Sequence, residues 1–168
     1  MVACWLCIIN LYTIPTIFKK PNLINQYDRQ VAEQPALIQE IVSRLKKDSI
    51  QKHESVQVFD MLGGGANVLV DLDATIPTRF VQEVHFTEME WKGSFPPYLQ
   101  RLWDEFIFDL YARKPRYIIL FKSSYFYLGK ASNKAEGIEL NHFIHAYYVP
   151  LAEAEKYIIY KIKAANSQ

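Results

Sequence analysis

Cysteine is scarce in this chain of 168 residues, where Cys4 and Cys7 are the only two. Because the rest of the chain has no thiol, a disulfide framework is excluded for it. The C-x-x-C spacing is that of a redox pair or of half a zinc site. Here, however, it lies in an apolar run without a second cysteine pair or a nearby histidine. We therefore interpret both cysteines as small hydrophobic residues.

An excess of one charge is also missing. The chain has 19 Lys and Arg against 18 Asp and Glu, a formal net charge of +1. This balance gives no electrostatic basis for binding nucleic acid, so no nucleic-acid partner is predicted. Half of the residues are hydrophobic and 22% are charged, which excludes a disordered chain. The length fits one globular domain with a core of its own.

Charged residues are absent from Met1 to Phe18, and Lys19 and Lys20 end this apolar run. A complete membrane span takes about 20 apolar residues, so the pattern predicts a partial membrane helix over residues 1–20. A secretory signal is the first alternative, but its positive start and a clear cleavage site are missing. A buried helix or strand at the edge of the domain is the second.

The remaining chain divides into a linker or irregular helix over residues 21–35, an α/β domain over 36–163 and a tail over 164–168. The apolar periodicities predict four helices: Ala36–Lys47, Ala66–Leu72, a helix from Pro97 to Lys114-Pro115, and Ile138–Glu155. They also predict four strands: Val56–Met61, Arg79–Phe86, Tyr117–Phe121 and Tyr157–Ile162. The third helix has the clearest apolar stripe: Tyr98, Leu99, Leu102, Trp103, Phe106, Ile107, Leu110 and Tyr111.

Helices and strands thus alternate along the chain, which is typical of crossover connections between parallel strands. The sequence predicts an α/β fold. We expect a small three-layer domain with a mostly parallel sheet of about four strands and flanking helices, with room for one antiparallel edge. The apolar segment precedes this domain.

Three consecutive glycines form the first candidate ligand site. Gly63, Gly64 and Gly65 follow a predicted strand and precede a predicted helix, where free backbone N–H groups hold phosphates in many α/β proteins. The preceding Asp60 makes the turn similar to the nucleotide-binding turn of methyltransferases. The dinucleotide fingerprint would need a glycine in place of Val68, and the P-loop's Gly-Lys-Ser/Thr is missing. A plain tight turn is the alternative.

Two further clusters could bind a metal. Asp71 and Asp73 form a D-x-D, which binds a divalent cation in some sugar-nucleotide transferases, but a solvated helix end has the same pattern. His142 and His145 share a predicted helix face, with Glu139 as the one acid at suitable spacing, which is too few ligands. No nucleophile with a recognisable base motif occurs. The sequence therefore predicts no catalytic residue, no metal site and no cofactor.

Five segments in order carry a family resemblance: Leu37–Leu45, Val56–Asp60, Ile76–Val81, Lys114–Leu120 and Tyr157–Lys161. The family's Pro-x-x-Arg-Phe-type stretch has its counterpart here in Pro77-Thr78-Arg79-Phe80, with one residue fewer between Pro and Arg. A Lys-Pro-x-Tyr-Ile stretch begins at Lys114. Together they resemble the soluble C-terminal domain of membrane glycosyltransferases with the GT-C fold. These are the ArnT-like and protein-mannosyltransferase-like enzymes, which use polyprenyl-phosphate sugars.

The resemblance implies a membrane enzyme that transfers sugar on the extracytoplasmic side, with its catalytic acid in a part that this chain lacks. The chain would then be a non-catalytic fragment or separately encoded tail. Its partners would be the parent's membrane helices and, indirectly, the lipid-linked sugar. Arg79 is carried over as a weak ligand candidate, and Lys114 as a fold or surface position. Two other hypotheses stay open: a stand-alone protein that binds a nucleotide or S-adenosylmethionine at Gly63–Gly65, and an aromatic-rich interaction module.

Overall fold

In the computed structural model the described residues are 21–59, 64–80, 97–122 and 135–164. The helices are α1 (Pro21–Lys47), α2 (Gly64–Leu72), α3 (Pro97–Arg113) and α4 (Ala135–Tyr147). The strands are β1 (Val56–Phe59), β2 (Tyr117–Phe121), β3 (Tyr148–Glu153) and β4 (Tyr157–Ile162). The partial membrane helix predicted over residues 1–20 lies outside the described part. Among the described helices, none combines the length and the apolarity that a membrane crossing needs.

The chain divides into two compact units, Met1–Glu40 and Ile41–Gln168, and α1 runs through the boundary. Residues 21–35 form the first part of this helix, which continues through Pro35 although proline cannot donate an intrahelical hydrogen bond. In the second unit, Ile41, Val42 and Leu45 are buried, as the apolar stripe predicts. Ala36, placed on the same stripe, is exposed.

The four strands form one mixed sheet in the order β1-β2-β4-β3. Only the β1–β2 pair is parallel, with Val56 opposite Tyr117, whereas β4 runs antiparallel to both of its neighbours. The α/β class is therefore confirmed, and the prediction of a mostly parallel sheet is wrong. The antiparallel strand lies inside the sheet and not at its edge.

The sheet is not mostly parallel because the second half of the segment predicted as the helix Ile138–Glu155 is a strand. The helix ends at Tyr147, and the next six residues form β3. Pro150 would break a helix interior, but an edge strand tolerates it, here beside a register shift between Pro150 and Ala152. A short connection then joins β3 to β4 as a hairpin, and a hairpin makes its two strands antiparallel.

Strand β2 is buried along its whole length, as its unbroken apolar run predicts. On one face, Ile118 and Leu120 join a cluster with Phe106 of α3 and Phe143 of α4. On the other face, the end of α1 lies close, because the Arg44 guanidinium is 5.9 Å from the Tyr157 ring. Helices thus cover both faces of the central strands.

The strand predicted over Arg79–Phe86 is not formed at its start. Arg79 and Phe80 are irregular, and the other residues of this prediction lie outside the described part. The α3 prediction is confirmed at both ends: the helix begins at Pro97, and Lys114, with a positive φ of 36°, follows its last residue.

Candidate functional site

The segment from Thr75 to Phe80 runs along the outer edge of β1 and is fixed there by hydrogen bonds. The Val56 N–H donates to the Thr75 carbonyl at 2.8 Å, and Thr75 N–H donates to the Glu54 carbonyl at 2.9 Å. The segment therefore satisfies part of the edge that β1 would otherwise present to solvent.

A buried amide holds the second half of this segment. Gln57 is only 1% exposed, and its Nε2 donates to the Phe80 carbonyl at 3.2 Å. The Thr78 hydroxyl donates to Gln57 Oε1 at 2.9 Å and accepts from the Phe80 N–H at 3.2 Å. The backbone on both sides of Arg79 is thereby fixed.

From this position the exposed Arg79 guanidinium pairs with the Glu105 carboxylate of α3. Glu105 Oε2, the oxygen in this ion pair, is covered from solvent. An open groove of about 740 Å³ lies along the same side of α3. Its lining is Thr78, Arg79, Arg101, Asp104, Glu105, Phe108, Asp109 and Arg113.

The groove's charges balance, with three arginines against three carboxylates. Arg113 and Asp109 lie one helical turn apart, with 3.7 Å between their charged atoms. Asp104 accepts a hydrogen bond of 2.8 Å from the Gln100 amide. Arg101 makes neither an ion pair nor a hydrogen bond with the described part of the chain. The groove therefore offers both hydrogen-bond donors and acceptors without a net charge.

Phe108 gives this polar groove one apolar surface. Its side chain is 72% exposed, although the neighbouring Phe106 and Ile107 are buried in the core. Among the described residues that line the groove, Phe108 is the only aromatic one. The groove thus combines a flat apolar ring with planar guanidinium and carboxylate groups.

A second polar cluster lies at the start of β2. Asp48 accepts a hydrogen bond of 2.8 Å from the Tyr117 hydroxyl, and Lys161 Nζ lies 2.7 Å from the same carboxylate oxygen. Beside them, Arg116 pairs with Glu54. These contacts connect the turn after α1 to β2 and β4, so we assign the cluster a structural role.

The cluster changes the pKa values of Asp48 and Tyr117. Burial raises the pKa of Asp48, but the hydrogen bonds from Lys161 and Tyr117, with the charges of Lys161 and Arg116, outweigh it and hold the pKa below its ordinary value of 3.8. Burial and the bond to Asp48 raise the pKa of Tyr117 to about 12. Asp48 is therefore ionised and Tyr117 neutral at neutral pH.

The glycine turn does not present an open phosphate site in its described half. Gly64 and Gly65 are the first two residues of α2, and both are buried. Asp60 and Gly63 lie outside the described residues. A phosphate needs exposed N–H groups at a helix start. The burial of Gly64 and Gly65 therefore counts against a ligand there.

The other candidates are dispersed. Asp71 is exposed at the last turn of α2, and Asp73, at a φ of 51°, lies 3.7 Å from both Lys52 and His53. At about 1.5 Å per residue, the nine residues of α2 separate these acids from the glycines. His142 and His145 are exposed. Within the described ranges, no three His, Cys, Asp or Glu residues are grouped to hold a metal ion.

Of the predicted ligand residues that the structure describes, only Arg79 lines the groove. Sequence reasoning missed the residues that α3 contributes, chiefly Arg101, Asp104 and Phe108. One signal was present: Phe108 does not fall on the apolar stripe of α3, and an aromatic residue off the stripe is expected to face solvent.

The comparisons with known proteins add no relative. No protein-family model, no curated protein and no solved structure matches the chain.

Proposed function

We propose that the chain is the non-catalytic, extracytoplasmic C-terminal domain of a membrane glycosyltransferase that uses a polyprenyl-phosphate sugar. In this proposal the catalytic acid and most of the membrane helices belong to a part of the protein that precedes residue 1. The domain packs against those helices and helps to shape the acceptor site.

The observation that carries the proposal is the placement of the segments that resemble this family. Val56–Phe59 pairs with Tyr117–Leu120, and Tyr157–Lys161 pairs with the other side of the same strand. Thr78 and Phe80, from the Pro77-Thr78-Arg79-Phe80 stretch, hydrogen-bond to Gln57 of β1.

Segments up to about a hundred residues apart in sequence thus meet in one sheet and its edge. Similarity at scattered positions is easily produced by chance. A shared fold would bring such segments together, and four of the five meet in this sheet and at its edge. This supports, at the level of the fold, the resemblance from which the function is inferred.

The first experiment is to sequence the genomic DNA upstream of the Met1 codon. We expect an open reading frame that continues in frame through several hydrophobic segments. An immunoblot of fractionated source cells, with an antibody against residues 97–113, should then detect a band far larger than the 168-residue chain in the membrane pellet. An in-frame stop codon before Met1, together with a short band in the soluble fraction, would overturn the proposal.

The nucleotide-binding alternative has weaker support, since Gly64 and Gly65 are buried. A thermal-denaturation series with S-adenosylmethionine and with ATP discriminates the two hypotheses. The glycosyltransferase proposal expects no shift in Tm with either ligand. A concentration-dependent increase in Tm would favour the alternative, because a ligand that binds only the folded state stabilises it.

A further inference from the structure

We propose that the groove between Arg79 and α3 binds a neutral saccharide, with a sugar ring on Phe108 and its hydroxyl groups on Arg101 and Asp104. This inference rests on the groove alone and assigns the chain a ligand of its own. It does not require the chain to be part of a transferase.

The balance of charge selects a neutral ligand. A phosphate or carboxylate near Arg101 would also meet Asp104, Glu105 and Asp109, and a cation would meet three arginines. Like charges at close range oppose binding. For an anion or a cation, repulsion by the like-charged side chains of the groove therefore offsets the attraction to the opposite charges. A neutral polyhydroxyl compound avoids this conflict.

The polar groups suit hydroxyls in particular. A hydroxyl group both donates and accepts hydrogen bonds, so it can donate to a carboxylate and accept from a guanidinium. Arg101 has its guanidinium unengaged within the described part of the chain, and Gln100 donates to only one oxygen of Asp104. Hydrogen bonds that involve a charged partner are stronger than those between neutral groups.

Phe108 supplies the apolar half of the contact. A sugar ring has one face of C–H groups, and covering the exposed Phe108 ring with that face removes apolar surface from water. The groove volume of about 740 Å³ lies within the range of about 300–1,000 Å³ that small-molecule sites occupy. Because the groove is open, we expect a dissociation constant of about 1 mM for a trisaccharide.

The test is a titration of the ¹⁵N-labelled 168-residue chain with mannotriose and with chitotriose, followed by amide shifts. We expect saturable shifts with at least one of the two, centred on residues 101–109. Phe108→Ala and Arg101→Gln should each weaken binding by about fivefold or more. Both side chains are exposed, so the folded spectrum should be retained. Val70→Ala, at an exposed apolar residue of α2 outside the groove, is the matched control and should leave binding unchanged.

A charged probe tests the reasoning about neutrality. Trigalacturonic acid has three sugar rings and three carboxylates, and we expect it to bind more weakly than the neutral trisaccharide. The proposal is overturned if neither neutral trisaccharide produces saturable shifts, if trigalacturonic acid binds more tightly, or if Val70→Ala weakens binding as much as Phe108→Ala. None of these results bears on the reading frame upstream of Met1, so the two proposals can fail separately.

Discussion

Asp48 is the residue at which the turn after α1, strand β2 and strand β4 are joined. Its carboxylate accepts from Tyr117 and pairs with Lys161. We expect Asp48→Asn to lower the free energy of unfolding by about 1–2 kcal/mol, since both partners are only partly screened by solvent. Chemical denaturation measures this. Lys52→Ala removes an ion pair whose lysine is 81% exposed and should change stability by less than about 0.5 kcal/mol.

The same carboxylate gives an acid-dependent stability. Because the pKa of Asp48 is lower in the folded than in the unfolded chain, its contribution is complete above the ordinary value of 3.8 and is lost as pH falls through the folded pKa. The stability difference between the parent chain and Asp48→Asn should therefore shrink as pH falls below 3.8. A difference that stays constant down to the lowest pH at which both chains fold would contradict this.

Tyr117 gives the opposite dependence at high pH. Its pKa rises from 10.0 to about 12 on folding, so between these values the unfolded chain loses a proton that the folded chain keeps. Stability should fall as pH rises through that interval, by up to about 1.4 kcal/mol per pH unit. Denaturation curves of Tyr117→Phe should show a shallower decline. A residual decline in stability with pH should remain in this variant, because burial also raises the pKa of Tyr148.

At the scale of the element, the segment beside β1 depends on one hydroxyl. Thr78 is 4% exposed, and replacing it by Val would leave Gln57 Oε1 and the Phe80 N–H without this partner. We expect Thr78→Val to cost about 1–3 kcal/mol by chemical denaturation. Thr78→Ser keeps the hydroxyl and should cost about 1 kcal/mol or less. A Thr78→Val variant that is no less stable than Thr78→Ser would contradict the role of the hydroxyl, because Val keeps the methyl group and Ser keeps the hydroxyl.

The elements that could be predicted from sequence are those with a strong local signal. Strand β2 is an unbroken apolar run, and α3 begins at Pro97 and is followed by Pro115, so both are found correctly. Strand β3 is not, because Tyr147 and Tyr148 continue the apolar spacing of α4 while belonging to different elements. Only pairing with β4 decides between helix and strand there, and pairing is not local information.

At the scale of the whole molecule, stability depends on a strand covered on both faces. Ile119 is fully buried in β2, so Ile119→Ala should lower the free energy of unfolding by about 2–5 kcal/mol. Val70 is 76% exposed and serves as the control, since Val70→Ala should change the free energy of unfolding by less than about 0.5 kcal/mol. Urea denaturation of both variants measures the difference. A loss below 1 kcal/mol for Ile119→Ala would show that the face toward α1 is loosely packed.

The groove could not be predicted from the sequence because residues that are far apart in the chain form it. Arg79 reaches Glu105 across 26 positions of the chain, and Gln57 fixes the backbone that places it. Neither contact has a motif. Phe108 alone leaves a trace, as an aromatic residue off the helical stripe, and that trace becomes interpretable only when its surroundings are known.

The position of β4 has a consequence for synthesis. The last of the four strands in chain order is also an inner strand, hydrogen-bonded to β2 and β3 along its length. While the protein is being translated, β2 has no partner on that side until residues 157–162 leave the ribosome. The incomplete sheet therefore exposes the unpaired edge of an apolar strand. A chain that is truncated before β4, or that is slow to meet a chaperone, should thus be more prone to aggregate than a domain whose last strand adds to a sheet edge.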